Sequence, residues 1–288
     1  FDDRDGFIWF DGKLTPWRDA KVHALTHALH YASAVFEGER AYSGMIFKSR
    51  EHSERLKKSA EILDFEIPYT VEEIDRAKAE TLKANNLTDG YLRPIAWRGS
   101  EMMGVAAQAN RIHLAIAAWA WPSYFSPELR AKGIRLCMAK YRRPAPDTAP
   151  TASKAAGLYM ICTISKHEAE RAGYQDAMML DYRGQIAEAT GANVFFVMNG
   201  DPHAEARLLP RRHHAQDRDG PGAGASAQGD RARDHAGRDG RRERVLPHRH
   251  CGGDHAGRRD RSLQVHARQG HPGPLGRLPV GRQEAFLI

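Results

Sequence analysis

The segment TASKAAGLY occupies residues 151–159 and places Lys154 directly before a predicted helix. The helix is predicted to run from Leu158 to Ala172 and to end at Gly173, because glycine readily adopts the left-handed backbone that follows many helices. The small neighbours of Lys154 leave room for a flat ligand. A lysine in a loop is usually a solvated charge, so the surrounding segments must decide whether Lys154 has a chemical role.

Three further segments carry functional residue types in a distinctive order. Residues 30–40 read HYASAVFEGER, and residues 50–56 read REHSERL. Downstream, GYQDA begins at Gly173, and residues 185–195 read QIAEATGANVF. In this last segment Glu188 has apolar residues before it and Gly/Asn-rich sequence after it, which is typical of a strand end that faces a site.

Together these segments resemble the fold-type IV aminotransferases that use pyridoxal 5'-phosphate (PLP), specifically the branched-chain amino acid aminotransferases. The resemblance extends over residues 5–198 and implies an α/β (α+β) fold with two domains and the cofactor between them. It divides the chain into a small N-terminal domain (1–120), an interdomain loop (121–135), the first part of a large PLP-binding domain (136–200) and a tail (201–288).

The resemblance also implies roles for four cofactor-binding residues. PLP enzymes need a lysine that bonds to the aldehyde and later carries a proton, a carboxylate on the pyridine nitrogen, and cationic or backbone donors for the phosphate. Lys154 would be the catalytic lysine, and Glu188 would pair with the ring nitrogen. Arg55 would bind the phosphate, and Tyr159 would hydrogen-bond the phenolic oxygen. Outside this context, Glu188 and Arg55 would be interpreted as surface charges.

Substrate-binding residues follow from the same resemblance. A branched side chain needs an apolar pocket, whereas glutamate needs a cation and hydroxyls, and tyrosines can serve both. Arg93 would bind the distal carboxylate, and Tyr91 would help to hold the α-carboxylate. Tyr31 and Val105 would reach across from a partner subunit, which implies a homodimer or a higher homo-oligomer. The full set of expected substrate contacts is Tyr31, Phe36, Tyr91, Arg93, Val105 and Tyr124. For any one aromatic residue, ordinary core packing is an equally good interpretation.

The implied activity is reversible transamination of leucine, isoleucine or valine with 2-oxoglutarate. Another fold-type IV enzyme, such as a D-amino acid aminotransferase or an aminodeoxychorismate lyase, remains an alternative. There is no signal-peptide pattern at the start and no apolar run long enough to cross a membrane, so a cytoplasmic location is expected.

Secondary structure is predicted from hydrophobic periodicity and capping residues. A hairpin on an Asp-Gly turn is expected at residues 7–14. Ser49 is predicted to cap one helix, and Thr70 is predicted to begin a capping box for the next. Strands are predicted at residues 91–97, 112–119, 177–180 and 194–198.

The composition changes after residue 200. Residues 1–200 contain 26 Lys and Arg against 25 Asp and Glu, whereas residues 201–288 contain 17 Arg, no Lys and 11 Asp and Glu. Only 12 of the last 88 residues are Ile, Leu, Val, Met, Phe, Trp or Tyr. So few apolar residues cannot offset the entropy lost on ordering, which predicts a tail without regular structure.

Three functional interpretations of the tail are weak. The glycine-rich residues 220–224 follow no strand and contain a proline, so they are a poor phosphate loop. His248, His250, Cys251 and His255 lack the spacing of a metal site, and no metal is expected. The arginines could belong to a nonenzymatic nucleic-acid binder, but no aromatic residues are interleaved to stack on bases. Salt-dependent binding that vanishes on removal of residues 201–288 would identify such a binder.

A shifted reading frame explains the tail better. Permitted codons for residues 209–218, read one nucleotide later, can spell FLDGITRKTV. The same shift allows SECFLTGTAAEITPV from residues 243–257 and TPTPKPD from residues 201–207. The family places a GIT turn and an SGTAAEITP-like turn in this region, where their amides bind phosphate and carboxylate. We hypothesise a frameshift near codons 199–201, which resequencing of the DNA tests directly.

Overall fold

The computed structural model describes residues 1–121, 132–198, 201–203, 263–267 and 284–287. Within them the strands form two sheets of seven strands each. The strands of the first sheet lie between Phe7 and Trp119, and those of the second begin at Ile134. The expected mixture of helices and strands is therefore confirmed, whereas the proposed domain limits remain a prediction. No helix in these ranges is long and apolar enough to span a membrane.

The first sheet is antiparallel throughout its described pairs, with strand order β2-β1-β7-β6-β4-β5 and with β3 also paired to β6. Its strands are β1 (Phe7–Phe10), β2 (Lys13–Pro16), β3 (Ala34–Phe36), β4 (Glu39–Tyr42), β5 (Met45–Ile46), β6 (Gly90–Arg98) and β7 (Ile112–Trp119). Its helices are α1 (His27–Tyr31), α2 (Ser49–Ile62) and α3 (Val71–Ala84).

The predicted β1–β2 hairpin is confirmed. Asp11 and Gly12 connect the strands with φ values of 47° and 98°. Two successive residues with positive φ are the hallmark of the two-residue turn whose twist matches that of the flanking strands. The Asp-Gly pair suits this turn because both residues tolerate the left-handed region better than most.

One helix cap is confirmed and the other is wrong. Thr70 accepts a hydrogen bond from the backbone N–H of Glu73, whose carboxylate accepts one from the N–H of Thr70, so the capping box is complete. Ser49 does not cap α2, because Lys48 occupies the N-cap position without a side-chain hydrogen bond. The hydroxyl of Ser49 instead donates to Asp75 on α3 over 2.8 Å. A tertiary partner has therefore replaced the local one.

The predicted apolar faces of α2 and α3 pack on the first sheet. Leu56 and Ala60 of α2 and Ile74 of α3 are fully buried against strand residues such as Val35 and Leu114. The remaining members of this core are Trp9, Phe65, Ile67, Ala77, Ala96 and Ile116. Burial on one side of the sheet fixes the register of the strands, because a one-residue slip would turn these side chains towards solvent.

The second sheet has the order β10-β9-β8-β13-β14-β11-β12. Its strands are β8 (Ile134–Met138), β9 (Asp176–Leu180), β10 (Ile186–Ala189), β11 (Val194–Met198), β12 (Asp201–His203), β13 (Leu263–Ala267) and β14 (Glu284–Leu287). The β8–β9 pair is parallel, and the crossover between the two strands contains a 3-10 turn (Ala156–Tyr159) and helix α4 (Met160–Arg171). Gly173 follows α4 with φ 78°, as predicted.

Three segments of the tail differ from the expectation of a region without regular structure. Residues 201–203, 263–267 and 284–287 are strands, and β13 pairs with both β8 and β14. Alternating apolar residues in LQVHA, and the apolar run in EAFL, give these segments strand patterning that the overall composition concealed. The phosphate-loop candidate and the four potential metal ligands of the tail lie outside the described residues.

A buried ion cluster joins α3 to β4. The amine of Lys78 is fully buried and lies 2.9 Å from a carboxylate oxygen of Glu39 and 3.0 Å from one of Asp75. It also donates to the carbonyl oxygen of Ser49 over 2.8 Å. Burial raises the pKa of Glu39, although the neighbouring Lys78 opposes this shift. One cation therefore contacts two carboxylates, Glu39 in the interior and Asp75 at its edge.

Lys78→Met should destabilise the fold strongly, because it leaves the fully buried Glu39 and the partly exposed Asp75 without their cation. The expected loss is about 3–5 kcal/mol of unfolding free energy. Urea denaturation followed by circular dichroism measures it. Lys58→Met is the matched control, because Lys58 pairs with Glu61 on the exposed side of α2, and its loss should stay below about 1 kcal/mol. Equal losses in the two variants would contradict the structural role of Lys78.

Candidate functional site

The backbone around Lys154 is attached to two elements of the first half of the chain. The N–H of Lys154 donates to the hydroxyl of Ser59 on α2 over 3.0 Å, and the hydroxyl of Ser153 donates to the carbonyl of Ser59 over 2.8 Å. The N–H of Phe36 donates to the carbonyl of Lys154 over 3.2 Å. Lys154 therefore lies between α2 and β3. As predicted, it directly precedes a helical segment, although this segment begins with a 3-10 turn.

Two aromatic rings lie near the amine of Lys154. Its Nζ lies 5.3 Å from the ring centre of Phe36 and 5.7 Å from that of Tyr159. The two rings contact each other, with centres 4.8 Å apart. Phe36 and Tyr159 are distant in sequence, and the structure brings both to the predicted lysine.

Arg93 extends this cluster from strand β6. Its guanidinium carbon lies 4.7 Å from the ring centre of Phe36, and its Nη2 donates to the hydroxyl of Tyr91 over 2.9 Å. A side chain at Gly38 would collide with that hydroxyl, because its Cβ would lie 2.1 Å away. Glycine in the VFEG segment therefore allows Tyr91 to approach. The site combines an apolar ring with a cation and a phenol.

Arg55 is held by a carboxylate that sequence reasoning did not select. Its Nε and Nη2 donate to Oε1 and Oε2 of Glu37 over 2.6 and 2.5 Å. Nδ1 of His52, one turn earlier on α2, lies 2.9 Å from Oε2 of Glu37. Glu37 and His52 are both buried, whereas the Arg55 side chain retains 15% of its exposure. Among the described residues, Nη1 of Arg55 has no hydrogen-bond partner.

The charge state of Glu37 is set by these partners. Burial alone would raise the pKa of Glu37, but the hydrogen bonds from Arg55 and His52 and the positive charge of Arg55 together hold its pKa well below its usual range. The charge of Lys154 contributes in the same direction. Burial lowers the pKa of His52, although the bond to Glu37 opposes this shift. Glu37 is thus an anion next to a neutral imidazole at neutral pH.

Glu188 is buried in strand β10 and meets a second residue that sequence reasoning missed. Nε of Arg143 lies 3.1 Å from Oε1 of Glu188, and both side chains are almost fully buried. Nη1 of Arg143 also donates to the carbonyl of Leu158 and to Sγ of Cys162, each over 3.3 Å. Arg143 therefore connects Glu188 to the turn that carries Tyr159. A single sequence does not distinguish this buried arginine from the neighbouring Arg142.

The remaining predicted residues lie elsewhere. The Tyr31 ring stacks on His27 with centres 4.5 Å apart, and its hydroxyl donates to the carbonyl of Met103 over 3.2 Å. Val105 is 84% exposed. Both residues therefore lie on the surface rather than in the cluster around Lys154. Tyr124 lies outside the described residues.

Solved structures share this fold. A crystal structure of the branched-chain amino acid aminotransferase of Escherichia coli matches with a TM-score of 0.67 and 39% identity, over 70% of this chain and 68% of that one. A branched-chain amino acid aminotransferase from T.th., solved with pyridoxamine 5'-phosphate, also matches with a TM-score of 0.67, at 38% identity and the same coverage of both chains. The fold is therefore that of the fold-type IV aminotransferases.

Sequence comparison identifies the family. The chain matches the amino-transferase class IV family over residues 34–202 and belongs to that family. It is 47% identical over 191 residues to the probable branched-chain-amino-acid aminotransferase of Rickettsia bellii, and 41% identical over 202 residues to the branched-chain-amino-acid aminotransferase of Pseudomonas aeruginosa. These matches cover 66% and 69% of this chain, and 65% and 66% of the relatives. The chain thus spans just under two thirds of the relatives' length.

Replacement of Glu37 should remove a pH-dependent part of the stability. At pH 7, Glu37→Gln is expected to lose about 2–3 kcal/mol of unfolding free energy, because a charged hydrogen-bond acceptor for Arg55 and His52 is lost. The folded-state pKa of Glu37 lies below the usual 4.5. Its contribution is therefore complete above that value and is lost as the pH falls below it.

The difference in unfolding free energy between wild type and Glu37→Gln, measured by urea titration at several pH values, should shrink below pH 4.5. Glu72→Gln is the control, because Glu72 pairs with Arg50 on the surface over 2.7 Å. A difference that stays constant from neutral pH to about pH 3 would show that the charge of Glu37 does not stabilise the fold.

Proposed function

We propose that this chain carries the catalytic half of a PLP-dependent transaminase acting on leucine, isoleucine or valine and on 2-oxoglutarate or glutamate. The observation that carries the proposal is the position of the Lys154 amine, close to the rings of both Phe36 and Tyr159 and near enough to Glu37 for its charge to lower the pKa of that carboxyl. The solved relatives from T.th. include structures with pyridoxamine 5'-phosphate and with N-(5'-phosphopyridoxyl)-L-glutamate, which supports the cofactor and the second substrate.

The residues present fit PLP. The cofactor needs an amine, a flat space between apolar surfaces, a cation for its phosphate and a carboxylate for its ring nitrogen. Lys154 supplies the amine, and the ring of Phe36 supplies an apolar surface. The open Nη1 of Arg55 suits a phosphate oxygen, and Glu188 supplies the carboxylate.

When bound, PLP supplies an electron-withdrawing ring that makes the Cα proton of an amino acid acidic. The residues of this chain then handle protons and charge. Lys154 Nζ would remove the proton from Cα and carry it away from that carbon, and the hydroxyl of Tyr159 would donate a hydrogen bond to the phenolic oxygen of the cofactor. Glu188 would keep a proton on the ring nitrogen, and Arg143 would hold the Glu188 carboxylate in place through its contact 3.1 Å away.

The substrate side of the cluster suits two kinds of amino acid. The ring of Phe36 offers an apolar surface for a branched side chain, whereas Arg93 offers a cation for the distal carboxylate of glutamate. The bond of Arg93 to the Tyr91 hydroxyl orients both groups. Tyr91 would hold the α-carboxylate, and Tyr124 would complete the pocket.

Loss of phosphate contacts should limit the activity of this particular chain. The family match ends at residue 202, and the two phosphate-binding turns expected by resemblance are absent from the sequence that follows. Codons permitted for the tail can encode both turns when they are read one nucleotide later. We therefore propose that the tail is out of frame and that Arg55 is the part of the phosphate site that remains in this chain.

Purified protein of the printed sequence is expected to show no more than about one hundredth of the leucine turnover of a frame-restored chain, since each lost donor costs binding energy. Glutamate formation from L-leucine and 2-oxoglutarate measures this turnover. Lys154→Ala in the restored chain should abolish it.

Equal turnover by the printed and restored chains would refute the idea of a truncated site. Faster reaction with D-alanine than with L-leucine would instead indicate a D-amino acid aminotransferase.

We further propose that the chain forms a homodimer through the surface around α1 and that it acts in the cytoplasm. The hydrogen bonds from Tyr31 to Met103 and between His27 and Gly104 bring α1 beside the loop that carries Val105. Exposed apolar residues cluster there, namely Leu25, Leu29, Tyr31, Met102 and Val105. Exposed apolar patches of this kind commonly mark protein interfaces.

Val105→Glu should weaken the dimer, because it introduces a charge into the apolar patch. Sedimentation velocity at several protein concentrations should show a shift towards monomer, with the dissociation constant of the dimer raised at least about tenfold. Met45→Glu is the control, because Met45 is 75% exposed on strand β5. A wild-type protein that remains monomeric at all concentrations would overturn the dimer proposal.

A further inference from the structure

The buried carboxylate of Glu37 has no role in the proposed chemistry, although it lies in direct contact with the phosphate-site arginine. Glu37 is completely buried, and both of its oxygens face the guanidinium of Arg55. Burying an ionised carboxylate is unfavourable unless partners compensate it fully. A buried ion pair of this kind can also fix the direction of a side chain, in addition to its effect on stability.

The geometry of the pair limits where Arg55 can point. A guanidinium is planar, and its donors form a rigid fork, so fixing one edge fixes the direction of the other. Glu37 occupies the Nε–Nη2 edge over 2.6 and 2.5 Å. The Nη1 side, which has no partner among the described residues, is left to meet an anion.

His52 fixes Glu37 in turn. Its Nδ1 lies 2.9 Å from Oε2 of Glu37. Since burial favours the neutral imidazole, one ring nitrogen carries the only proton, and a proton on Nδ1 satisfies the carboxylate. Under this tautomer the 3.3 Å approach between His52 Nδ1 and Arg55 Nη2 is a contact and not a hydrogen bond.

We propose that Glu37 is a positioning residue that directs Arg55 at the phosphate of the cofactor, with His52 holding Glu37 in place. The proposal rests on the proposed function, because it assumes that Lys154 and Arg55 belong to one PLP site. It assigns Glu37 no contact with substrate or cofactor.

A purely electrostatic role and a positioning role for Glu37 predict opposite effects on phosphate binding when Glu37 is removed. A carboxylate next to Arg55 repels a phosphate, so if charge alone mattered, its removal would strengthen phosphate binding. If Glu37 orients Arg55, its removal weakens phosphate binding. Glu37→Asp separates the two ideas further, because it keeps the charge but shortens the side chain.

The experiment compares PLP with pyridoxal, which lacks the phosphate. Each aldehyde is incubated with the full-length protein over a range of concentrations and reduced with borohydride, and modification of Lys154 is quantified by peptide mass spectrometry. Because the charges of Glu37 and Lys154 interact, both aldehydes are compared in every variant, and the ratio of the two labelling efficiencies isolates the phosphate contribution. This readout needs no turnover and also detects weak binding.

Wild type should label Lys154 more efficiently with PLP than with pyridoxal. Glu37→Gln and Glu37→Asp should lower this preference towards that of Arg55→Met, by about tenfold if the loss resembles that of second-layer partners at metal sites. His52→Gln should lower it by a smaller factor. Glu72→Gln, which changes an exposed carboxylate paired with Arg50, should leave it unchanged.

An unchanged or increased preference in folded Glu37→Gln or Glu37→Asp would overturn the proposal. If either Glu37 variant does not fold, as judged by circular dichroism, the other variant and His52→Gln decide. Equal labelling of wild-type Lys154 by both aldehydes would also overturn it, while leaving the lysine site intact. Labelling of Lys154 no greater than that of surface lysines would overturn the PLP site and the positioning role together.

Discussion

The hydrogen bonds that attach the Lys154 segment to the first half of the chain are the constraint on which the site depends. Ser59 on α2 accepts from the hydroxyl of Ser153 through its carbonyl and from the N–H of Lys154 through its hydroxyl. Phe36 at the end of β3 donates to the carbonyl of Lys154. These bonds fix the backbone from two directions, so the long lysine side chain starts from a defined point. A precise starting point matters because proton transfer requires the donor and acceptor within hydrogen-bond reach.

The N-terminal half of the chain contributes two buried ion pairs. Glu37 and Glu39 lie close together near the start of β4, and each has its own cation, Arg55 for the first and Lys78 for the second. The charge of Glu37 contributes to the raised pKa of Glu39. Buried ion clusters of this kind add little to stability compared with apolar packing, but they restrict side-chain directions. Here the restriction acts on Arg55. Its partner Glu37 comes directly after Phe36 in the sequence, and the ring of Phe36 lies beside the amine of Lys154.

The second half of the chain supplies a second group of residues, Arg143, Tyr159 and Glu188. Arg143 spans from Glu188 on β10 to the carbonyl of Leu158, and Tyr159 follows immediately. The backbone N–H of Arg143 donates to the carbonyl of Leu180 at the end of β9, and β9 pairs with β10, so Arg143 starts close to Glu188. The match to the family ends soon after, at residue 202. Lys154, Glu188 and Arg55, the residues to which we assign the cofactor site, thus all precede the change in composition.

The resemblance of several ordered motifs to a known family predicted the family and the lysine segment. Local patterns predicted helices α2, α3 and α4, the hairpin turn and six of the fourteen strands that the structure describes. Thr70 was identified as a cap because its partner is three residues away. The partners of the buried charges emerged only from the folded chain. Ser49 contacts Asp75 rather than capping its own helix, and Arg143 rather than Arg142 meets Glu188, because such pairings depend on which elements pack together. Likewise, the contact of Glu37 with Arg55 joins residues 18 positions apart, a separation that no helical or strand period predicts.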